Sequence, residues 1–242
     1  MSLWYVFQRE IRQYLTTPVA YTIASALLVF TGISFMREVY LSAEATTPVN
    51  PAVIPIILSF TLIFFAPLMT MRLIAEEKRE GTLELLMTSP VPETNIVLGK
   101  FLGAWGYYTL ILMITFLYQI GLGTMTAQDW GHVMAAYIGI WLYGGATLSI
   151  GLVFSAVTEN QIVAAFLSVI TLFLLWLGDQ AGDFIVNIDV ARVVRQLSLQ
   201  GHFTTSFASG LFRAEDVAFF AGIIVVMLFI AIRAVENQRW RS

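Results

Sequence analysis

The sequence has no cysteine, two histidines and few charged residues, which make up 12% of the chain. Without cysteine there is no disulfide, no thiolate metal site and no cysteine nucleophile. His132 and His202 are far apart in the chain, so a histidine-based metal or catalytic cluster is not expected. The net charge of -3, without a cluster of Lys and Arg, gives no reason to expect nucleic acid as a partner.

Motifs for catalysis are also missing. There is no G-x-x-x-x-G-K-[ST] loop for a nucleotide phosphate, and Gly99-Lys100 lacks both the upstream glycine and the following Ser or Thr. No Ser/His/Asp set, paired carboxylate or zinc motif is placed convincingly. We therefore do not expect an enzyme, and any ATP that drives this protein must be bound by another chain.

Apolar residues dominate instead, at 58% of the 242 residues, which is far outside the range of soluble domains. The sequence predicts an all-α integral membrane protein forming one transmembrane domain. Residues 1–18 predict an interfacial amphipathic helix, with Leu3, Phe7 and Ile11 on one face and Arg9, Glu10 and Arg12 elsewhere. A loop or short re-entrant piece is expected at 37–51. Six spans are predicted at 19–35, 52–71, 101–125, 133–157, 162–177 and 217–232.

A polar segment, residues 72–100, separates the second and third predicted spans. It carries nine ionisable residues, and burying them all in hydrocarbon would cost on the order of 25 kcal/mol, so it must lie outside the membrane. Gly81 can end the incoming helix and Thr82 can cap the next. Leu83, Leu86 and Met87 then share one helical face. This pattern favours a short helix that a soluble partner covers over the alternative, a merely solvated loop.

The distribution of Lys and Arg predicts the orientation. If the chain crosses the membrane six times, nine of the 13 Lys and Arg residues lie on the same side as the N-terminus. Because Lys and Arg are enriched on the cytoplasmic side, this count favours cytoplasmic termini and a cytoplasmic polar segment. The segment 178–216 then faces outward. Within it Val190, Val193, Val194 and Leu197 recur at helical spacing, which predicts an amphipathic helix along the outer membrane surface.

Small residues recur in two of the spans. Gly99-x-x-x-Gly103 opens the third span. The fourth span contains small-x-x-x-small pairs formed by Gly145, Thr147, Ser149, Gly151 and Ser155. Such pairs allow close contact between helices, and we expect packing within one protomer rather than a dimer seam.

Two stretches carry a family resemblance. Together with six spans and a helical N-terminal prelude, EEKREGTLELLMTSPVPETNIVLGK (76–100) resembles the coupling-helix region of the permease subunit of ABC-2 type transporters. LSLQGHFTTSFASGLFRAEDVAFF (197–220) resembles the segment before the last helix of the gliding-motility-type permeases in that family.

The resemblance implies a multi-pass exporter subunit in a bacterial or archaeal cell (inner) membrane, surrounded by lipid and with both termini cytoplasmic. ATP and Mg²⁺ would be held by two copies of a separate ATPase subunit, and this chain would hold no cofactor. It would pair with a second permease chain, a copy of itself or a sibling, through its first and fifth spans. The outer residues His202, Phe203 and Asp216 would shape the outer mouth as part of an interfacial or re-entrant segment. The implied docking residues of the coupling helix are Glu76, Glu77, Glu80, Gly81, Thr82, Leu83, Glu84 and Leu86.

Two other functions stay open on the residues alone. An ATP-independent carrier or channel is expected to show intramembrane charges or inverted repeats, and the sequence shows neither. A non-transporting membrane scaffold that relays ATPase-driven change to an external partner would be favoured by a large outer domain, for which 178–216 is short.

Overall fold

A computed structural model describes residues 3–82, 92–184 and 187–239. Within them the protein is all-α, as predicted, and six of its helices are long and apolar enough to cross a membrane. The helices in chain order are α1 (Leu3–Thr16), α2 (Pro18–Glu44), α3 (Val53–Thr70), α4 (Ala75–Arg79), α5 (Glu93–Met125), α6 (Trp130–Val157), α7 (Gln161–Phe184), α8 (Ile188–Leu197), α9 (Leu199–Thr205) and α10 (Ala214–Arg239). A 3₁₀ turn, Phe207–Ser209, lies between α9 and α10.

Several helices run beyond the predicted spans. α2 continues through residues 37–44, where the sequence predicted a loop, because no glycine or proline interrupts it before Pro48. It ends next to Thr46, which has a positive φ of 52°. α5 begins at Glu93, directly after the extended residue Pro92, so the last third of the polar segment is helical and leads straight into the third span.

α6 is the central helix of the bundle. It packs against α3, α5, α7 and α10, and most residues of its apolar, membrane-spanning stretch are buried inside the protein. A Cβ atom added at Gly144 would come within 2.2 Å of the Tyr108 ring, and one at Gly151 within 2.2 Å of Thr70 Oγ1. The small residues of the fourth span therefore pack within the chain, as the sequence predicted.

The N-terminal helix α1 packs along the start of α5. Gly99 and Gly103 are the positions of closest approach, where an added Cβ would meet Val6 at 2.6 Å and Glu10 at 2.5 Å. Glu10 is therefore buried, with 4% exposure, whereas the sequence placed it on the polar face of α1. The expectation failed because an isolated amphipathic pattern does not reveal that glycines of another helix admit the Glu10 stem.

Between α7 and α10 the chain forms α8, α9 and the 3₁₀ turn. The predicted amphipathic helix is present as α8, and the Asn187 side chain accepts hydrogen bonds from the backbone N–H groups of Asp189 and Val190 at its start. Val193 and Leu197 remain exposed on α8. This exposed apolar stripe agrees with a helix lying on a membrane surface, which stays a prediction.

Candidate functional site

The first part of the polar segment is held close to the membrane domain. After α3 the chain makes a turn, forms the short helix α4 and reaches Gly81, whose φ of 70° places it in the left-handed region that favours glycine. Gly81 therefore ends the helix as predicted. Thr82 donates a hydrogen bond back to the Glu77 carbonyl at 3.3 Å. The predicted docking residues Leu83, Glu84 and Leu86 lie outside the described residues.

Three buried side chains form an ion cluster, defined as Glu10, Glu77 and Lys100. Lys100 Nζ lies 2.9 Å from Glu10 Oε1 and 2.9 Å from Glu77 Oε1. Arg9 approaches Glu77 Oε1 at 3.6 Å, so two cations balance two carboxylates. Because charges buried without partners cost several kcal/mol each, the cluster holds α1, α4 and the start of α5 in one arrangement.

The ion cluster changes the role expected of Glu77. The sequence grouped it with Glu76 and Glu80 as carboxylates for a partner, but one of its oxygens is used inside the chain and its side chain is largely buried. Glu80 is exposed and Glu76 is half-buried, so these two are the carboxylates of α4 and its C-terminus that remain accessible. Docking by this segment stays a prediction.

Sequence reasoning did not identify Glu10 and Lys100 as site residues. The available signal was the position of Lys100 between Gly99 and Gly103, since glycines that admit another helix also bring that helix close to the lysine. The corresponding signal in α1 was Glu10, an acidic residue in the middle of a predicted amphipathic helix.

A second joint connects the start of α4 to the end of α6. Ser155 Oγ accepts hydrogen bonds from the backbone N–H groups of Ile74 at 3.0 Å and Ala75 at 3.1 Å, and donates one to the Met71 carbonyl at 3.1 Å. This uses the full bonding capacity of a hydroxyl. Lys78 Nζ also donates to the Ala156 carbonyl. The sequence indicated Ser155 only as a small packing residue.

Tyr14 links α1 to the end of α3. Its hydroxyl donates to the Met69 carbonyl at 2.6 Å, and its ring stacks on Tyr107 with ring centres 4.8 Å apart. Burial raises the pKa of Tyr14 well above its usual range, with Glu10 and Tyr107 contributing, so the hydroxyl stays protonated and remains a donor. Specific polar contacts thus connect α4 to α1, α5 and the end of α6, and connect α1 to the end of α3.

The predicted outer residues come together at the opposite end of the bundle. His202 Nδ1 lies 2.6 Å from Asp216 Oδ1, and His202 Nε2 lies 3.1 Å from the Gln196 carbonyl. The imidazole stacks on Phe219 at 3.7 Å. Phe203 is fully buried and meets Tyr143 edge-on. His202 also lines a cavity of about 670 Å³ between α7, α8 and α9.

This arrangement offers anchoring contacts rather than reaction chemistry. Among the described residues no group of three or more His, Asp or Glu side chains could hold a metal ion. The contact between His202 and Asp216 fixes the start of α10 against α9. Phe203 acts as part of the core, because its ring has no exposed surface.

A family comparison decides the class of the protein. The family model described as ABC-2 family transporter protein matches residues 9–178, more than half of the chain. The chain belongs to the ABC-2 transporter family. The matched range contains the ion cluster, the Ser155 joint and the whole polar segment, while α10 and nearly all of residues 178–216 lie beyond it. Comparison with curated proteins gives no match. This ABC-2 family member is a multi-pass membrane protein and a transport component.

Proposed function

We propose that this ABC-2 family member is the membrane-spanning permease subunit of an ATP-driven exporter, and that a separate ATPase subunit supplies the energy. Family membership carries this proposal. It is supported by the sequence, which contains no phosphate-binding loop of its own. The partner binds ATP and Mg²⁺. This chain contributes a docking surface for the partner and the membrane helices that carry the conformational change across the bilayer.

The proposed docking surface is the polar segment between α4 and α5. Glu76 and Glu80 offer carboxylates to basic residues of a partner, and Leu83 and Leu86 offer an apolar anchor if the predicted helix forms. Glu84 is a further carboxylate of the same stretch. In this proposal Glu77 acts from behind the surface, by holding it to Lys100.

The contacts around α4 support transmission of a push. The ion cluster connects α4 to α1 and α5, and Ser155 with Lys78 connects it to the end of α6. A displacement of the polar segment would therefore reach the central helix and the third span directly, since both are attached by buried polar contacts that are costly to break.

The proposed orientation puts the polar segment and both termini in the cytoplasm of a bacterial or archaeal cell. The excess of Lys and Arg on that side supports it. The outer segment would then face the exterior. The likeness of 197–220 to gliding-motility-type permeases stays a proposal about the subfamily, and the contact between His202 and Asp216 gives a physical reason for the two polar positions of that motif.

Pairing with a second permease chain, a copy or a sibling, is proposed through one face of the bundle. α2 and α7 both flank α3, and these two helices are among the least buried of the six, with Ile33 and Ile162 well exposed. Two ATPase copies would each need one polar segment.

A cysteine cross-link tests this face. Because the chain has no cysteine of its own, Ile33→Cys should form a disulfide across a symmetric seam in native membranes. If cysteines at all exposed positions of α2 and α7 failed to form a cross-link, this face would be excluded.

Copurification with the ATPase tests the function. Wild type should isolate with an ATPase subunit in equal number and raise its ATP turnover, and Leu83→Asp should insert normally but lose that stimulation by about tenfold or more, since a buried apolar anchor is replaced by a charge. Leu211→Asp is the matched control, because Leu211 is an exposed leucine of the outer segment. Unchanged stimulation by Leu83→Asp would exclude the docking surface proposed for this segment.

A further inference from the structure

The cavity of about 670 Å³ between α7, α8 and α9 has walls unlike those of the membrane bundle. Six of its nine lining residues have polar side chains, and Ala191 has the one aliphatic side chain among the described residues that line it. Acyl chains and other large apolar groups bind in cavities with aliphatic or aromatic walls. This cavity is therefore suited to a small and strongly polar ligand.

Two arginines of α8 line the cavity. Arg192 and Arg195 are three residues apart, so they project from the same face of the helix. The side chain of Arg192 is 67% exposed, and its contact with Asp189 at 3.9 Å is a weak ion pair, because Asp189 is itself 89% exposed. Arg195 has contacts within the chain, but a guanidinium group has five N–H donors and can serve several acceptors. Both arginines can therefore donate to an anion in the cavity.

Asp179 of α7 provides an acceptor in the same cavity. The residue is half-buried and lines the cavity, so its carboxylate is accessible from there. Within residues 3–82, 92–184 and 187–239, this carboxylate forms no hydrogen bond and no ion pair. A carboxylate that faces a cavity without a partner selects a ligand that can donate a hydrogen bond to it.

Two glycines bring the charged groups of the cavity close together. A Cβ atom added at Gly182 would lie 2.5 Å from Arg195 Nε, so the Arg195 side chain crosses α7 at this position. Asp179 precedes Gly182 by three residues on the same face of α7, and such positions have Cβ atoms about 5–6 Å apart. On the other side, a Cβ added at Gly201 of α9 would lie 3.2 Å from Asp179 Oδ1. The guanidinium of Arg195 and the carboxylate of Asp179 are thus neighbours.

His202 belongs to the wall of the cavity but does not bind the ligand. Both of its ring nitrogens are already engaged, one with Asp216 and the other with the Gln196 carbonyl. One face of the imidazole is covered by Phe219. The role of His202 is therefore to hold α9 in place beside Asp179.

We propose that this cavity binds a phosphate group that still carries a proton, as inorganic phosphate does at neutral pH. The anionic oxygens accept hydrogen bonds from Arg192 and Arg195, which are the charge-assisted contacts that guanidinium groups make best. The P–OH group donates to Asp179. Sulfate has nearly the same size and shape, but it carries no proton at neutral pH, so it leaves Asp179 without a donor and is repelled by it.

The faces of α8 indicate the source of the phosphate. Arg192 and Arg195 lie on the side of α8 away from its exposed apolar stripe, Val190, Val193 and Leu197. With that stripe on the membrane surface, the two arginines face away from lipid. The phosphate is therefore a soluble one rather than part of a lipid head group. Its arrival from the exterior rests on the proposed orientation, whereas binding itself does not.

Isothermal titration calorimetry of the purified full chain in phosphate-free buffer tests the proposal without any ATPase. Wild type should bind inorganic phosphate at least about tenfold more tightly than sulfate, as one charge-assisted hydrogen bond implies. Asp179→Asn should remove this preference, because a carboxamide can donate to sulfate. Arg192→Gln should weaken phosphate binding about tenfold or more, and it should leave the fold intact because this side chain is exposed.

Arg213→Gln is the matched control, because Arg213 is an exposed arginine directly before α10 and does not line the cavity. It should bind phosphate like wild type. Titrations in nanodiscs with and without phosphatidic acid test the source, and this lipid should not compete with inorganic phosphate.

Three results would overturn the phosphate site: equal binding of phosphate and sulfate by wild type, unchanged phosphate binding by Arg192→Gln, or no binding at millimolar phosphate. Competition by phosphatidic acid would overturn the soluble source. These titrations do not depend on copurification with an ATPase, so this proposal and the proposed function fail separately.

Discussion

Lys100 holds two carboxylates with one ammonium group, in a position with 3% exposure. Each partner comes from a different helix, so the side chain acts as a connector between α1, α4 and α5. A buried charge of this kind adds little net stability compared with apolar packing, but removal of one partner leaves the others buried and unpaired.

Lys100→Met should therefore destabilise the protein by about 3–5 kcal/mol, seen as a lower melting temperature in detergent. Adding Glu10→Gln to Lys100→Met should recover part of the loss, because one uncompensated charge is then removed. Arg12→Met, an exposed cation of α1, serves as the control and should melt like wild type. If Lys100→Met melted at the wild-type temperature, Lys100 would not be buried as described.

At the scale of helices, the bundle depends on two kinds of contact: close packing at glycines and hydrogen bonds between helix ends. Gly144 of α6 allows the Tyr108 ring of α5 to approach, and Tyr108 then donates to the Ile140 carbonyl at 3.0 Å. Ser155 performs the corresponding task at the end of α6, where it satisfies two backbone amides of α4.

Gly144→Ala should destabilise the bundle by about 1–3 kcal/mol, because its Cβ would overlap the buried Tyr108 ring. Gly121→Ala is the matched control in α5: an added Cβ there meets nothing within 4 Å, so this change should be neutral or slightly stabilising through helix propensity. Thermal melting and the yield of folded protein from membranes measure both. Equal effects of the two changes would contradict the α5–α6 contact.

Ser155→Ala should cost about 1–3 kcal/mol, since it leaves the buried N–H groups of Ile74 and Ala75 without an acceptor. Ser168→Ala is the control, because Ser168 is equally buried but donates only to the Ala164 carbonyl of its own helix. Hydrogen exchange should also be faster at Ile74 and Ala75 in the Ser155 variant. Slow exchange there in both variants would show that α4 does not depend on Ser155.

At the scale of the whole molecule, α4 and the 3₁₀ turn Phe207–Ser209 lie at opposite ends of a six-helix membrane bundle. The central helix α6 joins the two ends, with Ser155 near one and His132 near the other. His132 Nε2 lies 2.8 Å from the Ala208 carbonyl, so the 3₁₀ turn is attached to the same helix that holds α4. The two ends are therefore connected through one continuous helix, and in the proposed function this helix carries motion from one end to the other.

The proposed orientation predicts opposite labelling of the two ends. In intact cells an impermeant thiol reagent should modify Arg213→Cys and leave Glu80→Cys unmodified until the membrane is opened. Both positions are exposed and the native chain has no cysteine, so no background reaction interferes. Phe203 would be a poor probe, because its side chain is fully buried. Labelling of Glu80→Cys from outside would reverse the orientation.

The sequence by itself determined that the chain spans a membrane with helices, and it predicts that residues 72–100 stay outside the membrane. Those properties follow from transfer free energies that add along the chain whatever the neighbours are. It also determined the turn at Gly81, which is a local backbone preference. Only the tertiary structure decided that Glu10, Glu77 and Lys100 form one cluster, that Ser155 serves α4, and that His202 meets Asp216. These pairs are 14 to 90 residues apart, and their burial depends on which helices approach, such as α1 at Gly99 and Gly103. The predicted position of the polar segment outside the membrane thus rests on composition, whereas the attachment of α4 to the bundle rests on packing.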